Sequence, residues 1–373
     1  MRLVVPKRLL DRQLIIYLSI LVLAGLVVLI SASAPQGYAK FNDGYFFLKR
    51  QIAYGLLPGL VFFLYLSRRD YQWTAKRAYL IYFLSLILLA SVFIPGLGTV
   101  LNGSRSWISL GGFTVQPSEF AKLGIIIMAA YLLSRRQINW GNWSQSLLPM
   151  LAVLAPALGL VLAEPDVGTL SILVFIICAL FFVAGIPYRL LLLLGSLSLA
   201  GLVILILVAP YRLERITTFL HPELDPQGVG YHINQAFLAI GSGGFWGLGY
   251  GASRQKFQYL PETSADSIFA VVAEENGFLI ASALVILFFL IGWRGLRIAR
   301  EASDSFGKYL VFGVTVWFLW QATLNIGAMV GILPLTGVPL PLVSHGGSAY
   351  IAMLIGWALV VSVSRGSKKL ATS

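Results

Sequence analysis

Residues 14–34 read LIIYLSILVLAGLVVLISASA, a run without a single charge. A membrane-crossing helix needs about 20 mostly apolar residues, so this stretch decides the fold class. Arg2, Lys7, Arg8 and Arg12 precede it, and it ends in Ser31-Ala32-Ser33-Ala34. That pattern is similar to a signal peptide with a small-residue cleavage site. The length of the run, and nine more like it, argue for an uncleaved span. The others are 46–66, 78–95, 118–134, 146–163, 167–185, 190–209, 266–293, 308–332 and 346–364. The expectation is an all-α polytopic membrane protein of about ten transmembrane helices. It forms a single membrane domain over residues 1–373, with a large outer loop at about 210–265 between the seventh and eighth spans.

The composition agrees. Of 373 residues, 58% are apolar and 11% charged, and the mean hydropathy is +0.83. A soluble domain carries about 25% charged residues, so a water-soluble enzyme and a disordered chain are both excluded. The net charge of +12 would suit nucleic acid, but in a membrane chain it is read by position, and no nucleic acid is expected. With the N-terminus in the cytoplasm, 18 Lys and Arg residues fall in inner segments and 8 in outer ones, while Lys122 lies within a span. This bias places both termini in the cytoplasm. Cys178 is the only cysteine, which rules out an intramolecular disulfide.

Polar and Gly/Pro-rich clusters gather on the outer side, and inner loops are short and basic. Asp266 is the most informative carboxylate, standing where the long outer loop enters the eighth span. A charge near hydrocarbon costs roughly 2.5–3.5 kcal/mol, so it lines a cavity or has a partner. Partial desolvation would raise its pKa and make it a better proton acceptor; the competing reading is a helix N-cap. Asp266, Ala270, Ala273 and Gly277 share one small-residue face, suited to close helix packing or to a substrate groove. Glu274 and Glu275 lie deeper, as a structural ion-pair site or a proton path. Glu119 and Lys122, spaced i, i+3, form either a self-neutralising pair or a cation for an anionic head group. Arg105 beside Trp107 reads as an interfacial anchor or as a fork for phosphate oxygens. Arg212, Arg215, Arg254 and Lys256 run against the positive-inside trend, which fits an anionic head group or a protein partner.

Other motifs fail. The Gly-rich segment Gly241–Gly251 follows no strand of a βαβ unit, so it is no dinucleotide fingerprint. His221, His232 and His345 are far apart, without zinc-ligand spacing.

Six segments in order resemble the SEDS family (shape, elongation, division and sporulation), whose members include FtsW, RodA and SpoVE. They are Gly103-Ser-Arg-Ser-Trp107-Ile, Gln116-Pro-Ser-Glu-Phe-Ala-Lys122, Glu164-Pro-Asp-Val-Gly-Thr169 and Ala239-Ile-Gly-Ser-Gly-Gly244. Then come Tyr259-Leu-Pro-Glu262 with Asp266-Ser-Ile-Phe-Ala270 and Glu274-Glu275, and Pro339-Leu-Pro-Leu-Val-Ser-His-Gly-Gly-Ser348. The segment leaving span one and the segment entering span two resemble FtsW more than RodA. Two departures stand out: His345 replaces a usual Tyr, and Glu262-Thr-Ser-Ala precedes the acid where the family often has His-Thr.

The resemblance implies a peptidoglycan glycosyltransferase in the bacterial cytoplasmic membrane. It would polymerise lipid II at the outer face into β-1,4-linked strands, here for septal wall synthesis in division. Asp266 matches the family's essential acid. Glu119, Lys122, Arg105 and Trp107 match its membrane pair and outer-loop motif, and Ser344 and His345 fall in its last outer motif. The substrate head group would meet these residues together with Arg212 and Arg215. A divalent cation, magnesium or manganese, is another source of positive charge, although the sequence holds no clear metal cage. The implied partners are a class B penicillin-binding protein, a transpeptidase, and other divisome proteins. The rival readings are a lipid II flippase, an elongation polymerase like RodA, and a scaffold without activity.

Overall fold

The computed structural model describes residues 11–101, 104–110, 113–135, 140–208, 210–222, 225, 228–257 and 259–366. Gly103 of the first motif lies outside them, as do the topology-setting Arg2, Lys7, Arg8, Arg136, Lys368 and Lys369. Helix α1 (Arg12–Phe41) is followed by α2 (Phe46–Gln51), which passes through a π-helical turn, Ile52–Leu56, into α3 (Leu57–Leu66). Next come α4 (Gln72–Lys76), α5 (Ala78–Ala90) and three strands, β1 (Gly98–Leu101), β2 (Ser104–Leu110) and β3 (Phe113–Val115). The chain continues through α6 (Pro117–Arg135), α7 (Trp143–Ala163), α8 (Val167–Val183), α9 (Tyr188–Val208), α10 (Pro210–Leu220) and α11 (Val229–Gly243). It ends with α12 (Ile268–Glu301), α13 (Ser305–Met329) and α14 (Gly347–Gly366).

Among the described residues, eight helices are long and apolar enough to cross a membrane. They are α1, the α2–α3 unit, α6, α7, α9, α12, α13 and α14. The shorter apolar helices Ala78–Phe93 and Val167–Val183 complete the ten expected runs. The chain is a polytopic helical membrane protein. Pro58 explains the π turn: at the start of α3 it has no N–H to give, and the helix widens just before it.

Helices α6, α13 and α14 form the buried centre, whereas α9 has no buried residue. Small residues let backbones approach, as membrane helices require. A Cβ on Gly124 of α6 would stand 2.4 Å from Ser85 of α5, and one on Gly295 of α12 would stand 2.3 Å from Thr315 of α13. Aromatic contacts join the centre: Phe318 meets Phe288 and Trp357, each at 5.1 Å between ring centroids. Asp11 caps α1 by accepting from the Leu14 amide at 2.9 Å. It also pairs with Arg294 at 2.8 Å, tying the start of α1 to the far end of α12.

Two connections are more ordered than loops. The 96–117 segment folds as an antiparallel sheet in the order β1-β2-β3, with Thr99 opposite Trp107 and Ile108 opposite Val115. The long segment at about 210–265 contains α10 and α11. Helix α12 runs to Glu301, eight residues past the expected end of its span. Arg297 there pairs with Glu301 at 2.9 Å, an i, i+4 bridge on an exposed helical turn.

Candidate functional site

The turn before α12 is held by its main chain. Its last three carbonyls, those of Ser264, Ala265 and Asp266, have three different donors. They are the His345 amide at 2.8 Å, the Ser344 hydroxyl and the Asn325 side-chain amide at 2.9 Å. Ser267 donates to the Pro261 carbonyl at 2.7 Å and lies 2.6 Å from His232 Nε2. Glu262 closes the turn at φ 47°, a left-handed conformation uncommon outside glycine. Ala265 and Ser267 both donate to its carbonyl. The N-cap of α12 is Ser267, so capping is not the part Asp266 plays.

With its backbone fixed, the half-buried Asp266 side chain faces the 337 turn, where a Cβ on Gly337 would stand 3.6 Å from Oδ2. Burial pushes its pKa up to about 7, the Glu262 charge adds to the rise, and Arg215 opposes it. The carboxyl is therefore poised near neutrality, where a general base works best. The neighbouring imidazoles are not. Burial lowers His232 to about 4, and burial with the Arg50 charge lowers His345 to about 4. Both stay neutral at pH 7.

Glu119 and Lys122 lie behind this turn. Lys122 is 0% exposed and Glu119 2%. Lys122 Nζ donates to Glu119 Oε1 at 2.7 Å and to Gln321 Oε1 at 3.0 Å, and it lies 5.2 Å from the Trp317 ring centroid. Gln321 passes the link on by donating to the Pro339 carbonyl at 3.0 Å. Asn325, one turn along α13, bonds the carbonyls of both Val338 and Asp266. The pair thus braces the 338–345 segment that pins Asp266. Lys122 is thus held within the bundle by Glu119 and Gln321, the self-neutralising arrangement that the spacing allowed. Gln321 and Asn325 escaped the sequence reading because they are uncharged and belong to no motif in a mostly apolar span. An amide within a span was the available signal.

Arg105 and Trp107 sit on β2, apart from the Asp266 turn. The Arg105 guanidinium leans back over its own sheet, toward the Ile94 carbonyl at 3.5 Å. The sheet joins the site through its neighbours. Ser104 donates to the Glu164 carbonyl at 2.6 Å, and Gln116 contacts Asp166 at 3.4 Å and the Ser348 hydroxyl at 3.1 Å. Asp166 caps α8 through the Thr169 amide at 2.9 Å. The Glu164 carboxyl is buried without a hydrogen-bond partner, and its burial, with the Asp166 charge, raises its pKa to about 8. Arg215, exposed on α10, acts on Asp266 through its charge. Arg212 donates to the Leu205 carbonyl at 3.0 Å.

Glu274 and Glu275 hold the 253–256 stretch that follows the Gly-rich segment. Glu275 pairs with Lys256 at 2.7 Å and accepts from Ser31 at 2.7 Å. Glu274 accepts from the Ser253 hydroxyl and from the Arg254 amide at 2.8 Å. Helix α12 breaks here at Gly277, φ 70° and ψ −175°. The Leu248 and Gly249 amides donate to the Glu274 and Glu275 carbonyls, and the Phe278 and Leu279 amides donate to Gly244 and Phe245. Non-helical backbone at membrane depth survives only when so satisfied. A Cβ on Gly247 would stand 2.3 Å from the Glu275 carbonyl, and one on Gly243 2.0 Å from that of Ala273. The small-residue face of α12 therefore serves close packing. Gly277→Ala is expected to destabilise the protein by about 1–3 kcal/mol through its positive φ and a Cβ 2.3 Å from the Gly247 amide. A lowered melting temperature in detergent checks this.

Among the described residues, no three His, Cys, Asp or Glu side chains stand together as metal ligands. The fixed positive charge nearest in effect to Asp266 is Arg215.

A family model described as a cell cycle protein, covering FtsW, RodA and SpoVE, matches residues 11–369. Stage V sporulation protein E of Bacillus subtilis (strain 168) is 40% identical over 96% of this chain and 98% of its own length. A probable peptidoglycan glycosyltransferase FtsW from Trichlorobacter lovleyi is 39% identical over 97% and 96%. Among solved structures, the rod shape determining protein RodA of Thermus thermophilus superposes with a TM-score of 0.71 at 30% identity, covering 96% of this chain and 98% of that one. A chain from "Structural coordination of polymerization and crosslinking by a peptidoglycan synthase complex" gives 0.78 at 31% identity, covering 95% and 98%.

Proposed function

Because the chain belongs to the FtsW/RodA/SpoVE family of cell cycle proteins, we propose that it is a peptidoglycan glycosyltransferase with Asp266 as its base. The substrate is lipid II and the reaction face is the outer side of the bacterial cytoplasmic membrane, with both termini in the cytoplasm. The 4-hydroxyl of an acceptor GlcNAc attacks C1 of a lipid-linked MurNAc. The new C1–O bond forms as the bond from C1 to the pyrophosphate oxygen breaks, and undecaprenyl pyrophosphate leaves with that electron pair. Asp266 takes the hydroxyl proton and later releases it to solvent. One displacement inverts the anomeric centre and gives a β-1,4 linkage. Pyrophosphate leaves readily, so charge stabilisation outweighs general-acid help, and Arg215, exposed on α10 and felt by Asp266 through its charge, supplies it.

The observation that carries this reading is the pinned turn holding a half-buried carboxyl of pKa about 7. The septal setting, over elongation, is the reading supported by relatives of 39–40% identity, a probable FtsW and stage V sporulation protein E. A transpeptidase of the penicillin-binding class is the partner this role calls for. The flippase reading is disfavoured because Asp266 and the bonded turn around it, with Ser344, His345 and Asn325, form one site at one end of the bundle.

Purified protein and lipid II in detergent, where no leaflet exists to cross, should yield glycan chains on electrophoresis. A failure to polymerise with and without the partner sinks the assignment. The rate should depend on pH with a clear sign. Only the ionised carboxylate accepts a proton, so log rate should rise with pH and level off above about 7. Arg215→Gln removes a charge that lowers this pKa and should move the limb to higher pH. Glu262→Gln should move it to lower pH.

A further inference from the structure

The end of the bundle opposite Asp266 carries a cavity of about 260 Å³ lined by Arg68, Arg69, Asp70, Tyr71, Ser362 and Arg365. Helix α14 separates the two ends: from Gly347 to Gly366 it rises roughly 28 Å, close to one hydrocarbon core. The cavity far exceeds the roughly 10–15 Å³ that one water needs. Its walls are braced internally. Ser362 donates to the Arg69 carbonyl, Tyr71 donates to Asp304, and the Asp70 carboxylate accepts the Gln72 amide at 3.0 Å. The lining sets three guanidinium groups against the single carboxylate of Asp70, a net positive opening. Arg365 Nε is buried with no hydrogen-bond partner. A buried donor that the protein does not satisfy points to an acceptor from outside.

The mouth lies at head-group depth. The Arg69 guanidinium sits over the Tyr65 ring at 4.9 Å and that of Arg77 over the Trp73 ring at 4.8 Å, and both rings are exposed. Amphipathic aromatics of this kind settle at the membrane–water interface. Above them, Val61 and Leu64 of α3 are exposed and offer an apolar flank along which acyl chains can lie.

We propose that this cavity binds the phosphodiester head group of an anionic phospholipid in the leaflet opposite the Asp266 site. The arginine forks meet the phosphate oxygens, and the lipid tails follow α3. The apolar flank favours a lipid over free phosphate, and the reading stands independently of the catalytic one.

The test is native mass spectrometry of the purified full chain in detergent, titrated with phosphatidylglycerol, phosphatidylcholine and inorganic phosphate. The wild type should hold phosphatidylglycerol in clear preference to phosphatidylcholine. The double variant Arg68→Gln/Arg365→Gln should lose that preference by about tenfold or more, the order expected from two arginines near an anionic head group. Arg297→Gln/Arg300→Gln removes two exposed charges at the end of α12 that do not line the cavity, and should leave the preference in place. Arg68→Gln alone changes an exposed side chain and should give part of the loss if the double variant folds poorly, with melting temperature as the check. Equal binding of the two lipids overturns the proposal. So does an equal loss in the control variant, or displacement of phosphatidylglycerol by millimolar inorganic phosphate.

Discussion

Asp266→Asn is expected to lower glycan polymerisation by about 10²–10⁴-fold, the range a general base contributes, with folding unchanged. The substitution is nearly isosteric, and the bonds that hold the turn run through the main chain and through Ser267, not through the Asp266 side chain. The side chain has no capping duty on α12, so its loss should cost chemistry and not structure. Single-turnover polymerisation of lipid II by the purified variant, beside its melting temperature, separates the two. A variant that melts like the wild type and polymerises at the wild-type rate would falsify the base assignment.

The other large effect concerns stability. Lys122→Ala removes one partner of a fully buried ion pair and leaves Glu119 without a counter-charge. Breaking such a pair costs about 3–5 kcal/mol. Gln321 loses a donor to its side-chain oxygen as well. The expected result is a steep fall in melting temperature and in folded yield. The double variant Glu119→Leu/Lys122→Met should recover much of that loss, because it removes both charges and keeps the volume. If Lys122→Ala melts like the wild type but binds lipid II poorly, the lysine meets substrate after all and the bracing role is wrong.

The ten spans were legible because each is a mostly apolar run bounded by charged or Gly/Pro-rich segments, and membrane helices need little else. The location of the site was legible for a related reason: Asp266, Glu262 and the 339–348 segment are polar where hydrocarbon would exclude them without a purpose. Spacing brought Glu119 to Lys122, but it could not say whether the pair faces a cavity or the centre of the bundle. That depends on Trp317 and Gln321 of α13, nearly 200 residues away. The sheet could have been read. Asn102-Gly103 and Gly111-Gly112 separate three β-prone runs, a hairpin signal masked by the apolarity around it. The reason for the glycines at 243–249 could not be read, because the bonds there are backbone to backbone and leave no trace in side-chain chemistry.

That segment has a bearing on how such proteins diverge. Between residues 244 and 249 the peptide groups, not the side chains, are bonded to the interrupted helix. Phe245, Trp246 and Leu248 accordingly point outward and stay exposed. Substitution at these three positions is therefore cheap for folding, while Gly243, Gly247 and Gly277 tolerate none. A lineage can retune the outward face to its own lipids or neighbours without disturbing the helix that carries Asp266.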